Sequence, residues 1–239
     1  MFVAGPPLVA RIGENVTRQE LGGSDIHTSN GVIDDAVETE EEAFQRTRQF
    51  LSYLPSSVYE LPPRGQTYDD PERRDEWLIE AVPENRRRVF KMHPIIKTVV
   101  DQDSFFEIGG NWGRSLITGL ARLDGWPMMV LANDSMHDAG GWTAQACRKA
   151  ARAVDLAQTF HLPIVYLVDC PGFVIGTKSE QEGTVREGMR AVAAIEQSTV
   201  PWCTIIVRRA FGLAGAANSP AERLGHRYGW PSGNWGPLP

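Results

Sequence analysis

Cysteine is scarce. Cys147, Cys170 and Cys203 are the three in the chain, too few and too widely spaced for a disulfide framework or a zinc site. No apolar run approaches the roughly 18 residues a transmembrane helix needs. The opening MFVAGPPLVARIGENV lacks the basic start and apolar core of a signal peptide. Positive charge is also short: 24 Lys and Arg against 30 Asp and Glu leave a net −6, which argues against a general binder of nucleic acid or membrane surface. No G-x-S-x-G, H-E-x-x-H, G-x-G-x-x-G or P-loop lysine motif occurs. Five histidines (His27, His93, His137, His161 and His226) fall at no metal-ligand spacing and read as surface or packing residues. These absences point to an intracellular chain with no metal, nucleic acid or membrane partner.

What is present is ordinary for a globular protein: 239 residues, 42% hydrophobic and 23% charged. A chain of this size can bury roughly 70% of its unfolded surface. Residues 1–37 hold turn signals and no long periodic segment. A helix reads from about Glu38 to Leu54, with acidic residues 40–42 at its start, Ala43, Phe50, Leu51 and Leu54 on one face, and Pro55 as its stop. Residues 56–90 read as a proline-rich, charged linker without a core of its own, and its Arg86-Arg87-Arg88 cluster as solvated.

From residue 91 the pattern changes to alternating strands and helices. Ser115–Leu123 and Pro127–Asn133 form a hairpin about Asp124-Gly125. A helix follows from Thr143 to Phe160, with Arg148, Lys149 and Arg152 expected on its surface. Ile164–Val168 is a buried strand, Thr184–Gln197 a helix, Trp202–Val207 another strand, and Gly212 opens a further helix. This order implies an α/β domain with right-handed crossovers.

In such sheets ligands bind beyond the carboxyl ends of the strands. Two turns lie there, 169–176 and 209–215, both rich in small residues, the second feeding a helix start. Paired backbone amides at these turns could polarise an amide or thioester oxygen, and tight helix–strand packing would select the same residues. Asp169 reads equally as a general base or a turn cap, and Cys170 does not read as a reactive thiolate.

The stretch Asp169-Cys170-Pro171-Gly172-Phe173, with Gly176, Glu180 and Gly183, resembles the DxPGFxxGxxxExxG segment of acyl-CoA carboxyltransferase β subunits, members of the crotonase-like superfamily. Further matches are DSFFEI at 103–108, GLARLDG at 119–125, Lys149-Ala150-Ala151-Arg152, Thr199-Val200-Pro201, RRAFGLA at 208–214 and YGWPS at 228–232. Upstream, Ala4-Gly5-Pro6, Gly13-Glu14, Glu20-Leu21-Gly22-Gly23 and His27 look like the close of that family's N-terminal domain.

The resemblance implies a crotonase-like ββα superhelix. Residues 1–55 would end an N-terminal carboxyltransferase domain, 56–90 would link, and 91–239 would form a C-terminal domain, the chain being incomplete at both ends. It implies transfer of carboxylate between carboxybiotin and the α-carbon of an acyl-CoA through an enolate held in backbone oxyanion holes. Leu213, Ala214, Gly172 and Phe173 would supply the catalytic amides, and Gly212, Gly215, Ala216, Val174 and Gly176 would line the substrate and cofactor site. Expected partners are acyl-CoA, a biotin carboxylase and biotin carrier subunit, and either identical copies or a complementary carboxyltransferase half. The alternatives are a biotin-independent acyl-CoA decarboxylase, hydrolase or isomerase, and a half-subunit inactive without its partner.

Overall fold

The computed structural model describes residues 2–223 and 225–238; Met1, Leu224 and Pro239, which fall within the expected domain spans, lie outside the described residues. Three short helices, α1 (Pro6–Val9), α2 (Arg18–Gly22) and α3 (Ser24–Ser29), occupy the turn-rich start. The longer α4 (Glu40–Ser52) begins at a capping box: Thr39 Oγ1 accepts from the Glu42 amide at 3.2 Å while the Glu42 carboxylate accepts from the Thr39 amide. That cap sets the helix start two residues after the expected Glu38. Phe50 and Leu54 pack onto the core as expected, but Leu51 is exposed. Tyr53 takes the inward position instead, donating its hydroxyl proton to Ser104 O.

Residues 56–90 contain a single 3-10 turn, Glu76–Ile79, and lie along the sheet. Gly65 donates to Gly125 O at 2.8 Å, Arg73 donates to Val100 O at 2.8 Å, and Leu78, Ala81 and Val82 pack against a buried cluster. The segment therefore shares a core rather than building one. A helix absent from the sequence reading, α5 (Met92–Val99), buries Met92, Ile95 and Ile96 in that cluster.

The sheet comprises β1 (Phe106–Ile108), β2 (Leu116–Leu123), β3 (Trp126–Asn133), β4 (Ile164–Cys170), β5 (Trp202–Phe211), β6 (Gly225–Gly229) and β7 (Asn234–Gly236). The order is β1-β2-β3-β4-β5-β6, with β7 also pairing β5; β1, β2 and β3 are antiparallel neighbours and β3 to β6 run parallel. The expected hairpin is present. Asp124 and Gly125 both take positive φ (49° and 77°), the geometry of a type I′ turn, and Asp101 accepts from both amides at 2.8 and 2.7 Å.

Helices α6 (Ala144–Thr159), α7 (Thr177–Gln181), α8 (Thr184–Gln197) and α9 (Gly212–Ala216) follow the strands. Alternation along β2 places Leu116 and Leu120 in the core that α6 covers and α8 shares, and Ile117 and Ala121 in the core shared with α5. Both faces of the sheet are thereby covered. The hairpin, the helix and the two parallel strands match the sequence reading, although β5 runs on to Phe211 and α9 is barely more than one turn.

Candidate active site at the carboxyl ends of the parallel strands

Where β4 and β5 end, their register shifts between Val168 and Cys170, so that Cys170 opposes Ala210. Asp169, fully buried, ties the two strands together. It accepts from Arg208 Nη2 at 2.7 Å, Arg209 Nε at 2.7 Å and the Arg209 amide at 3.2 Å. Both carboxylate oxygens are engaged, so this residue acts as a strand clamp. Arg208, itself buried, also donates to Arg88 O at 2.7 Å and stacks over Phe90, while Arg209 donates to Ala139 O at 2.6 Å. Thus the Arg86–Arg88 segment contributes backbone carbonyls to the clamp.

A second buried network lies alongside. Asn133 Oδ1 accepts from the Tyr166 hydroxyl at 2.9 Å and the Asp169 amide at 3.2 Å, and its Nδ2 donates to Gly140 O at 2.9 Å. Burial raises the Tyr166 hydroxyl well above its ordinary pKa and pushes the Cys170 thiol up to about 12. Neither is a nucleophile near neutral pH.

The turns themselves are backbone. Trp142 donates to Gly172 O at 3.0 Å and its carbonyl accepts from Val174 at 3.1 Å, which leaves the Phe173 amide directed away from Trp142. The Phe173 ring is wedged edge-on against Trp142 and over Gly188. Gly172 has φ 122°, and a Cβ there would stand 3.6 Å from Phe211 O, so the two turns lie side by side. β5 enters α9 through Gly212 at φ 60°, and Phe211 at the N-cap offers no capping side chain. Among the described residues, the amides of Gly172, Phe173, Leu213 and Ala214 show no acceptor, whereas the Gly212 amide continues the ladder in which Phe211 of β5 pairs Gly236 of β7.

The structure thus gathers Gly172, Phe173, Gly212, Leu213 and Ala214. Val174 and Gly176 open instead onto an adjoining cavity of about 380 Å³ that also includes Arg114, Thr143 and Lys178. Gly215 faces inward, where a Cβ would stand 2.5 Å from Ala210 C, and Ala216 is exposed. No group of three or more His, Cys, Asp or Glu residues able to hold a metal is found among the described residues.

One expectation is overturned on α6. Lys149 is buried, 3% exposed, rather than on the surface with Arg148 and Arg152. Its Nζ donates to Gly109 O at 2.8 Å and Leu116 O at 2.7 Å, closing the loop between β1 and β2, and burial lowers its pKa to about 8. The cue was available: Lys149 lies three residues after Ala146 and four before Ala153, within the buried stripe of the helix. Glu107 accepts from His93 Nε2 at 2.9 Å. That bond raises the His93 pKa, while on Glu107 burial pushes upward and is outweighed by the histidine together with the Lys149 and Lys97 charges, leaving the carboxyl lowered.

The family profile described as the carboxyl transferase domain matches residues 1–239. The chain belongs to this family. The propionyl-CoA carboxylase carboxyltransferase subunit of Haloferax mediterranei is 39% identical over 237 residues, 97% of this chain and 46% of that protein. A biotin-dependent long chain acyl-coenzyme A carboxylase beta4 subunit of Mycobacterium tuberculosis is 35% identical over 236 residues, 97% of this chain and 45% of that protein. The transcarboxylase 12S crystal structure, a hexamer with methylmalonyl-coenzyme A bound, superposes with a TM-score of 0.93 at 29% identity, over 100% of this chain and 47% of that one. The chain spans about half the length of the relatives it matches. Its α/β architecture is the crotonase-like fold of the carboxyl transferase family, as the resemblance implied. No helix among the described residues is long and apolar enough to cross a membrane.

Proposed function

We propose that this carboxyl transferase domain moves carboxylate between carboxybiotin and the α-carbon of an acyl-CoA, its own contribution being backbone electrostatics at the β4 and β5 turns. The observation that carries this reading is the set of unspent amides at Gly172, Phe173, Leu213 and Ala214 on two adjacent turns. A carboxylated ureido group would find hydrogen-bond donors there, and the Asp169 carboxylate at the end of β4 is spent on Arg208 and Arg209. When bound, carboxybiotin supplies the carboxyl group and a ureido nitrogen that takes the substrate's α-proton, so no side-chain base is required. The chain's part is to hold negative charge on an oxygen with N–H dipoles fixed in advance by folding. Gly172 and Gly212 matter because their positive φ values let backbone turn toward a ligand where a side chain would intrude.

In this reading residues 1–55 close an N-terminal carboxyltransferase domain, 56–90 connect, and 91–239 form the C-terminal domain that faces biotin. Val174 and Gly176 border the cavity beside the turn, and Gly215 and Ala216 shape the short helix that presents Leu213 and Ala214. The enolate of the acyl-CoA would be held by the other half of a carboxyltransferase. The partners are therefore a biotin carrier and biotin carboxylase subunit, with further copies or a complementary half, in cytoplasm or organelle matrix.

Isotopic carboxylate in a short-chain carboxyacyl-CoA, chased into free biotin, tests the proposal. Transfer is expected from the chain alone or after mixing with an N-terminal carboxyltransferase half. No transfer in both mixtures overturns it. Loss of carboxylate without any label in biotin would favour decarboxylation instead, the activity for which one relative, a methylmalonyl-CoA decarboxylase subunit alpha of Veillonella parvula at 35% identity, is named.

A further inference from the structure

A cavity of about 530 Å³ opens between α4, β1 and α6, sharing no lining residue with the cavity beside the β4 turn. Its walls are apolar: Phe50, Phe106, Ile108, Trp112, Met129 and Leu156. That volume falls within the range of small-molecule sites, roughly 300–1,000 Å³, which are mostly apolar with a few placed polar groups.

The charges around it are unevenly matched. Asp34 holds Arg152 at 2.5 Å, Asp35 holds Arg46 at 2.5 Å, and Glu107 holds His93 at 2.9 Å. Asp155 stands exposed at the rim. Lys149 alone among these lining cations has no carboxylate within 4.0 Å among the described residues. Both of its hydrogen bonds go to neutral backbone carbonyls, at Gly109 and Leu116. An ammonium has three N–H donors, so one is left over. Glu107 and Asp34 act on it from longer range and do not offset the burial, which lowers its proton affinity. A buried cation without a contact counter-ion is a costly arrangement, and it is relieved when an anion arrives.

We propose that this cavity binds an organic anion with a compact apolar body, a medium-chain carboxylate, whose head group accepts the remaining N–H of Lys149 and whose chain lies against Phe50, Phe106, Met129 and Leu156. A neutral molecule of the same shape fills the space but leaves the ammonium uncompensated. An amine of the same shape brings a like charge to Lys149 and finds Asp34, Asp35 and Glu107 already paired, which leaves only the solvent-exposed Asp155 among the lining carboxylates. The predicted order of affinity is therefore carboxylate, then alcohol, then amine. This site is independent of carboxyl transfer, and no step of the proposed reaction depends on it.

The test uses octanoate, octanol and octylamine, each titrated into the full chain at low ionic strength. Emission of Trp112 is followed, with Trp112→Phe identifying its share of the signal. Saturable octanoate binding at least tenfold tighter than octanol, with octylamine weaker still, is expected, and Lys149→Met should bring octanoate and octanol to the same affinity. Absence of saturation overturns the proposal, as does octylamine binding as tightly as octanoate or an unchanged octanoate affinity in Lys149→Met. Should that variant fail to fold, the octanoate to octylamine ratio in the unaltered chain decides the matter alone.

Discussion

At the ends of β4 and β5 the carboxylate is consumed by two arginines and what stays free is backbone N–H; beneath α6 the backbone carbonyls are consumed by Lys149 and what stays free is side-chain charge. The shifted pKa values of Lys149, Glu107 and His93 gather at the second place. At the β4 end the perturbed groups are Tyr166 and Cys170, which burial holds neutral, so a search for charged groups with perturbed titration would choose the cavity beneath α6. Fixed peptide dipoles carry charge stabilisation without titrating, so a site made of them leaves no such trace. The contrast teaches that the two kinds of recess need different probes.

Removing the clamp should produce the largest effect. Asp169→Asn keeps the shape but leaves Arg208 buried without its counter-charge, so urea unfolding should show a loss of about 3–5 kcal/mol. A loss below about 1 kcal/mol would mean that the turns are held some other way.

On the charged side, pH separates the regions. Unfolded Lys149 keeps its proton up to about pH 10.5, while the folded residue releases it near 8. Between those values the unfolded chain binds more protons, so this group makes stability rise with pH, by roughly 3 kcal/mol at most. Cys147 and Cys170, pushed up to about 12 when folded, act in the opposite direction above pH 9. The difference between the unaltered chain and Lys149→Met isolates the lysine, and a difference that stays flat from pH 8 to 10.5 contradicts its burial as a cation.

Gly188→Ala tests how firmly the β4 turn is set. The new Cβ would stand 2.5 Å from Phe173 Cε1, so the ring must move. Strain of roughly 1–3 kcal/mol, partly offset by better helix propensity, should appear as lower thermal stability. Arg152→Ala gives the smallest change. The residue is half exposed and its pair with Asp34 should be worth less than about 1 kcal/mol in denaturant unfolding.

Much of the frame was legible because local chemistry and tertiary structure agree there. Asp124-Gly125 demands a hairpin, Thr143 and the alanine-rich run demand α6, and Ile164 onward reads as a buried strand. α5 was missed because a helix of eight residues, with Pro94 in its first turn, is stabilised by packing on the sheet more than by its own periodicity. Leu51 was misjudged and Tyr53 overlooked because the inward face of α4 is fixed by the contact with Ser104 beyond the helix. The two turns could be located from strand ends and small residues. That Gly215 faces Ala210 and Ala216 faces solvent could not, since both depend on how one short helix is rotated against β5. Asp169 remained ambiguous in sequence because its role is decided by arginines some forty residues away.

The most direct test of amide-based stabilisation contrasts two changes at one position. Leu213 is half exposed and second in α9, where its N–H has no helical acceptor, so proline fits there without breaking the helix. In a folded protein, Leu213→Ala should leave the rate of carboxyl transfer to biotin unchanged, whereas Leu213→Pro should lower it by about 10²–10³, roughly 3–4 kcal/mol. Equal rates for the two variants would contradict a role for this amide.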